Sequence, residues 1–167
     1  MNVTIRPISY DDTANIIRWR NNDFVRRRFL YRALFTAESH NNWMKTMVET
    51  KKVYQFIINC DGKDVGSIYL RDVDTENKKA EYGIFIGEAD YLGKGIGRAA
   101  TKLILDFAFN NLKLHKVFLR VLSDNIGAIK SYEKSGFVQE GIFKDEIYSD
   151  GKYESVVFMA IFNKEDK

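Results

Sequence analysis

The stretch Tyr82–Phe109, YGIFIGEADYLGKGIGRAATKLILDFAF, decides the fold because a strand, a glycine-rich turn and a helix follow one another in it. Ile84–Ile86 is an apolar run typical of a strand, and Gly93–Gly97 reads GKGIG. Apolar residues then recur at helical spacing, at Ile96, Ala99, Ala100, Leu103, Ile104, Phe107 and Ala108. Glycines let a backbone approach a ligand closely, and free N–H groups at a helix start attract anions. The stretch therefore predicts a turn that holds a phosphorylated cofactor.

Two nucleotide-binding motifs come close to this stretch without fitting it. The Walker pattern fails because Gly87 is one residue too far from Gly93 and because Gly95 occupies the place of the magnesium-binding Ser or Thr. Gly95–Ala100 satisfies the loose dinucleotide pattern, but that fold needs further βαβ units and the chain after Asp124 is too short for them. A tight connection that binds nothing stays open as the alternative for a lone glycine turn.

Composition sets the broad class of the protein. With 167 residues, 45% of them hydrophobic, the chain suits one globular domain covering residues 1–167. It shows no apolar run of membrane-spanning length and no signal-peptide profile at its N-terminus. A single cysteine, Cys60, excludes an internal disulfide and a multi-cysteine metal site, and it fits a reducing compartment. We therefore expect a cytoplasmic protein with no membrane partner and no metal.

The rest of the chain alternates strand and helix signals around the central stretch. Strands are predicted near the N-terminus and at Val53–Cys60, Val65–Val73, Ala80–Ile86, Lys116–Leu122, Phe137–Ile147 and Tyr153–Phe162. Asn125 is a typical helix cap, and Gly136 suits the end of the short helix that it starts. Two further helices are predicted before the second strand. The expected fold is α+β, a mixed and mostly antiparallel sheet with helices on both faces.

Three segments carry a resemblance to a known family. Leu92–Gly97 resembles the pyrophosphate loop Q/R-x-x-G-x-G/A, and Asn125–Phe137 resembles the element N-x-x-A-x-x-x-Y-x-x-x-G-F. Glu81–Ile86 stands where the same family places the strand that contacts pantetheine. Over almost its whole length the chain resembles the GNAT superfamily of acetyl-CoA-dependent N-acetyltransferases. The resemblance implies a GNAT-like acyl-CoA N-acyltransferase fold with acetyl-CoA as co-substrate and no metal.

The resemblance also implies which residues bind the coenzyme. They are Ile84, Phe85, Ile86, Leu92, Gly93, Lys94, Gly95, Ile96, Gly97, Arg98, Asn125, Ala128 and Tyr132. Leu92 departs from the usual Gln or Arg, but in this family the loop holds phosphate mainly through backbone amides, which leucine retains. Lys94 and Arg98 either supply the compensating charge or are solvated cations on an exposed turn.

Acetyl transfer to an amine requires an uncharged nucleophile and a proton for the departing thiolate. Tyr132 is the predicted catalytic proton donor because a phenol is protonated at neutral pH; the alternative is a packed aromatic. Glu81 is the predicted catalytic base, acting through a water, and the alternative is a surface glutamate that pairs with Lys78 or Lys79. His40 is a second candidate base, and bulk water is a third.

An arginine-rich segment, residues 18–32, bears on the identity of the acceptor. It contains six arginines and one acid. This N-terminal third resembles the amino-sugar-nucleotide N-acetyltransferases of pseudaminic-acid biosynthesis, whereas the C-terminal two-thirds resembles spermidine and ribosomal-protein N-terminal acetyltransferases. Arginines offer bidentate geometry to phosphates. We therefore expect a nucleotide-linked amino sugar as acceptor. Its predicted binding residues are Arg20, Asn21, Arg26, Arg27, His40 and Trp43.

Other functions remain open at this point. A polyamine or a protein N-terminus is the alternative acceptor. The alternative for the arginines is that some of them pair with acids such as Glu38 or Glu49 on a solvated face. A non-catalytic CoA-binding or nucleic-acid-binding module is a different class, although a formal charge of +3 is low for a dedicated nucleic-acid binder. Dimerisation is common in the families named, so a homodimer is compatible with the resemblance.

Overall fold

The structure, a computed structural model, describes residues 1–165; the last two residues of the predicted domain lie outside them. The elements in chain order are β1 (Val3–Pro7), α1 (Thr13–Asn21), α2 (Asp23–Arg26), α3 (Ala37–Trp43), β2 (Val53–Cys60), β3 (Lys63–Asp74), β4 (Lys79–Ile86), α4 (Ile96–Asp106), β5 (Lys116–Leu122), α5 (Ile126–Lys134), β6 (Val138–Ser149) and β7 (Lys152–Phe162). The π-helical turns Met44–Val48 and Phe107–Asn111 extend α3 and α4. Within the described range, every helix is too short or too polar to cross a membrane.

All seven strands form one sheet, in the order β1-β2-β3-β4-β5-β7-β6. Every neighbouring pair is antiparallel except β4 and β5, which run parallel. The predicted mixed, mostly antiparallel sheet is therefore confirmed. β4 and β5 pair only over Lys79–Glu81 and Lys116–Phe118, although both strands continue for several residues. The two strands therefore part after Glu81, and the parting opens a cleft in the middle of the sheet.

Two hydrophobic clusters lie on opposite faces of this sheet. One contains Ile58 and packs under α4 and α5, and the other contains Ile57 and packs under α1–α3. Successive side chains of a strand point to opposite faces, so these two neighbours mark the two sides. Helices cover both faces, as predicted from the sequence. The cleft is therefore flanked by α4 and α5 on one face of the sheet and by α1–α3 on the other.

The glycine turn predicted from Gly93–Gly97 is present, and α4 begins directly after it. Gly93 and Gly95 have φ values of 72° and 80°, a left-handed conformation that favours glycine. Gly95 is the N-cap residue of α4, and no side chain caps this helix start. The first amides of α4 are therefore available to a ligand, because they have no partner within the helix.

Replacing Gly87 by alanine is expected to destabilise the protein by about 1–3 kcal/mol, because overpacking a filled core forces neighbours to shift. A Cβ at Gly87 would overlap the indole of Trp19, a buried residue of α1. Gly127→Ala on α5 is the matched control, since a Cβ there meets open space. That control is expected to gain roughly 0.5–1 kcal/mol from helix propensity. Urea denaturation measures both; equal stability of the two variants would contradict this packing.

Candidate active site

A cavity of about 1340 Å³ occupies the cleft between β4 and β5 and is lined by residues from both faces of the sheet. The glycine turn and α5 line one side, and α1 and α3 line the other. Typical small-molecule pockets measure about 300–1,000 Å³. The cavity is therefore large enough for two substrates that approach each other from opposite faces.

Most of the residues predicted to bind the coenzyme lie on the side of this cavity formed by the glycine turn, β4 and α5, whereas Phe85 packs with α1–α3. All of these residues line the cavity except Lys94, whose ammonium lies over the ring of Tyr91, 5.4 Å from its centre. Leu92 is 47% exposed, and its backbone amide donates to the carbonyl of Ala89. Arg98, one turn into α4, also lines the cavity.

This end of the cavity suits a pyrophosphate. The left-handed glycines turn the chain so that it leads into the uncapped start of α4, where free amides and the helix dipole favour negative charge. Strand β4 borders the cavity from Glu81 to Ile86. Past Glu81 its edge towards β5 is unpaired, so an extended amide-containing arm fits alongside it.

Tyr132 lies on α5 beside the cavity. Its ring packs edge-to-face against Tyr82 and Phe137, with ring centres 5.9 Å away in both cases. Burial, and to a smaller degree the nearby Tyr69, raises the pKa of Tyr132 above its usual value. The phenol is thus protonated at neutral and mildly alkaline pH. Since its hydroxyl makes no hydrogen bond within residues 1–165, it is available as a proton donor.

Glu81 also lines the cavity but is bound by two arginines. It is only 5% exposed, and Oε2 accepts hydrogen bonds from Arg71 Nε at 3.0 Å while Oε1 accepts one from Arg120 Nε at 2.8 Å. A surface pairing with Lys78 or Lys79, the alternative from the sequence, is therefore wrong. With both oxygens occupied, Glu81 is better placed to hold the arginines than to receive a proton.

Tyr69, Arg71 and Arg120 line the cavity and were missed by sequence reasoning. Tyr69 stands directly opposite Gly83 in the β3–β4 pairing, and its phenol ring occupies the space that a side chain at Gly83 would need. Burial raises the pKa of Tyr69. The one sequence signal was the glycine inside a strand, which indicates a close approach by a neighbouring group.

The far side of the cavity contains His40, on α3. It is 1% exposed; Nδ1 lies 3.0 Å from Thr13 Oγ1, and Nε2 has no hydrogen-bond partner within the described residues. Burial lowers the pKa of His40, so the imidazole is neutral at pH 7. Trp43, also on this wall, donates from its indole to Gln55. Residues 1–165 contain no group of three or more His, Cys, Asp or Glu arranged to hold a metal ion.

The predicted acceptor-binding residues divide into two groups. Arg20, His40 and Trp43 line the cavity, whereas Asn21, Arg26 and Arg27 do not. Asn21 fixes the backbone of Phe35 through two hydrogen bonds, Arg26 pairs with Asp23, and Arg27 is exposed. Another arginine of this segment, Arg32, pairs with Glu154 on β7. The acid partners of these two arginines are thus neither Glu38 nor Glu49.

Comparison with known proteins identifies the class. The model of the acetyltransferase (GNAT) domain matches residues 2–138, so the chain belongs to this family. It is 29% identical over 160 residues to the spermidine N(1)-acetyltransferase of Escherichia coli K12, covering 96% of this chain and 86% of the relative. It is 27% identical over 125 residues to the L-amino acid N-acetyltransferase of the same strain, covering 73% and 76%.

A solved structure gives the same result for the fold. The crystal structure of spermidine N-acetyltransferase from Vibrio cholerae in complex with CoA and spermine superposes with a TM-score of 0.90 at 25% identity, covering 96% of this chain and 95% of that one. The chain is an acetyl-CoA-dependent N-acetyltransferase with the GNAT fold. These relatives do not support the narrower likeness to pseudaminic-acid enzymes that the N-terminal third suggested.

Replacing Glu81 by glutamine is expected to lower the free energy of unfolding by about 1.5–3 kcal/mol, the range for hydrogen bonds to charged groups. The variant leaves Arg71 and Arg120 without their shared counter-charge. We expect kcat to fall less than about tenfold, well below the 10²–10⁴-fold contribution of a general base. Denaturation and a pH–rate profile measure the two effects. The control is Glu140→Gln, which alters an exposed pair with Lys116.

The opposite result would assign Glu81 the role of the base. It would consist of unchanged stability, a kcat lowered by at least about a hundredfold, and loss of the acidic limb of the pH–rate profile.

Proposed function

We propose that the protein acetylates the primary amine of a small molecule that reaches the thioester from the side of α1–α3. One observation carries this proposal: a single cavity contains the uncapped start of α4, the free phenol of Tyr132 and the wall formed by α1 and α3. The coenzyme end and the acceptor end thus meet in the cleft between β4 and β5. A non-catalytic binding module would not need a protonated, unbonded phenol at this meeting point.

In the proposed reaction the acceptor nitrogen attacks the carbonyl carbon of the thioester that acetyl-CoA supplies. The new C–N bond forms as the C–S bond breaks, and the sulfur departs as a thiolate. Tyr132, which burial keeps protonated beforehand, gives this thiolate a proton, and the phenolate that results regains a proton from solvent. The acceptor nitrogen must in turn lose a proton.

His40 is better placed than Glu81 to take the proton from the acceptor. Its Nε2 is unpartnered, and the imidazole is neutral because burial lowers its pKa. Thr13 Oγ1 lies 3.4 Å from Asn41 Oδ1, so the hydroxyl can donate to that oxygen and accept from His40 Nδ1–H. In this tautomer Nε2 carries the lone pair. Solvent water remains the alternative acceptor of this proton.

Replacing Tyr132 by phenylalanine is expected to lower kcat by roughly a hundredfold, the lower end of the range for general acid catalysis. The lower end applies because a thiol with a pKa near 8.5 is already a fair leaving group. The KM for acetyl-CoA should change little, since the ring is retained. Tyr153→Phe, at an exposed position of β7, is the control. A Tyr132→Phe enzyme with nearly unchanged kcat would remove the tyrosine from the mechanism.

The relatives favour a polyamine as the acceptor. One acts on spermidine, and a matching structure was solved with CoA and spermine. This likeness supports the polyamine alternative better than the nucleotide-linked amino sugar that the arginine-rich segment suggested. A polyamine is therefore the first candidate on the basis of similarity.

An anionic amine is the second candidate, because of the charge of this chain's own cavity. The carboxylates that line it are Glu81 and Glu146, and Glu81 is already occupied by two arginines. The lining cations are more numerous. Arg98, Lys130 and Lys134 lie on the coenzyme side, on α4 and α5, and the others are Arg20, Arg28, Arg71 and Arg120. The L-amino acid N-acetyltransferase relative also acts on amines that carry a carboxylate. Nucleotide-linked amino sugars belong to the same anionic class.

Thiol release from acetyl-CoA is expected with at least one of three acceptors tested in parallel. These are spermidine, a UDP-linked 4-amino-4,6-dideoxy sugar and a short peptide with a free N-terminus. Turnover with spermidine alone would support the candidate drawn from the relatives. Turnover with the sugar nucleotide alone would support the anionic class, and turnover with the peptide alone would reject the small-molecule proposal. No turnover of any of the three, although acetyl-CoA binds, would reject spermidine and the sugar nucleotide as acceptors, and with them the two candidate classes that they represent.

A further inference from the structure

Arg20 is a buried cation without a counter-ion. Its side chain, on α1, lines the cavity although the residue is only 6% exposed. Nη2 makes a long hydrogen bond of 3.4 Å to the carbonyl of Tyr31, and Nη1 is buried with no partner within residues 1–165. The guanidinium instead stacks on aromatic rings, 3.5 Å from the centre of Phe29 and 4.7 Å from that of Phe35.

An arginine in this state is costly unless something else neutralises it. Buried charges are ordinarily paired, and the aromatic faces offset only part of the desolvation. Burial lowers the pKa of Arg20 to about 10, so the side chain is still charged at pH 7. The neighbouring Arg71 adds to the strain, because its charge also disfavours the protonated form of Arg20.

The excess of positive charge extends to the side chains around Arg20. Arg20, Arg71 and Arg120 interact electrostatically with Tyr69, and Glu81 is the carboxylate in that set. Arg71 and Arg120 share the carboxylate of Glu81, which leaves Arg20 beside Tyr69 without a carboxylate of its own among the described residues. A single further negative charge would leave this part of the cavity closer to neutral.

The position of this cluster separates it from the coenzyme phosphates. Tyr69 and Glu81 lie opposite Gly83 and Arg71 in the pairing of β3 with β4, so these four residues share one face of the sheet. Phe85, on the same face, packs with α1–α3, whereas the glycine turn belongs to the α4 side. The uncompensated positive charge therefore lies at the acceptor end of the cavity.

We propose that Arg20 binds an oxyanion of the acceptor, a carboxylate or a phosphate, in the space that it shares with Arg71 and Tyr69. This inference rests on the proposed function, because it assigns the α1–α3 end to the amine. It makes the preferred acceptor an amine that carries its own negative charge. A polyamine, the first candidate by similarity, brings further positive charges that this cluster disfavours, so the inference supports the second candidate class.

Anion binding to the CoA-saturated protein tests the proposal, because CoA occupies the glycine turn and leaves the acceptor end free. Isothermal titration with acetate, inorganic phosphate and UDP as probes is expected to show binding of at least one of them. Acetate and phosphate distinguish a carboxylate from a phosphate site, and UDP distinguishes a nucleotide. Arg20→Met is expected to weaken that binding by at least about tenfold, as for loss of a charge-assisted pair.

Arg27→Met is the matched control, since it removes the same charge at an exposed position outside the cavity. It should leave anion binding within about twofold of wild type, the effect of an exposed and screened charge. Arg20→Lys supplies a second variant if Arg20→Met fails to fold. It keeps the charge but loses the planar fork, and several-fold weaker binding is expected.

Equal anion binding by wild type and the Arg20 variants, or no binding of any probe by the wild type, would overturn the proposal. Its failure can be told apart from failure of the proposed function. Turnover of spermidine that these anions do not inhibit would leave the acetyltransferase function standing and remove the role of Arg20. Arg20-dependent anion binding without turnover of any amine would support the oxyanion site and count against the proposed acceptors.

Discussion

The structure depends on the parting of β4 from β5. The two strands are hydrogen-bonded only over Lys79–Glu81 and Lys116–Phe118, and each then keeps a single strand partner. Backbone amides and carbonyls at the edge of such a cleft need partners, from water or from a ligand. An extended arm that carries amide groups provides them in the way that another strand would. The interruption of the sheet is thus the feature that makes room for a coenzyme.

Glu81 stands where the strands part and joins the three strands around the cleft. It is the last residue of β4 that pairs with β5, and its carboxylate accepts hydrogen bonds from Arg71 on β3 and Arg120 on β5. Both arginines are about one-third exposed, whereas the carboxylate is buried. Replacing one partner would leave the others with unbalanced charge at the mouth of the cleft. The side chain that the sequence suggested as a base therefore has a clear alternative role in fixing the width of the site.

Local sequence signals predicted the strands and helices well, but they could not predict contacts between residues distant in the chain. The strands Val53–Cys60 and Lys116–Leu122 have the expected bounds, because their apolar runs end at turn residues. The glycine turn was found because left-handed backbone favours glycine. The register that brings Tyr69 over Gly83 depends on how two strands slide past each other, which neither strand encodes alone. The sequence also could not show which arginines of residues 18–32 line the cavity, because their density alone does not determine where each side chain points.

The charge of the acceptor end bears on the chemistry as well as on recognition. An amine attacks a thioester only when it is uncharged, and nearby positive charge disfavours its protonated form. The guanidinium groups of Arg20, Arg71 and Arg120 therefore promote the nucleophilic form of an amine bound near Tyr69. If Arg20 binds an oxyanion as proposed, the same field attracts that group and opposes a second ammonium group on the acceptor. One arrangement of charges would then favour both deprotonation of the nucleophile and selection of such an acceptor.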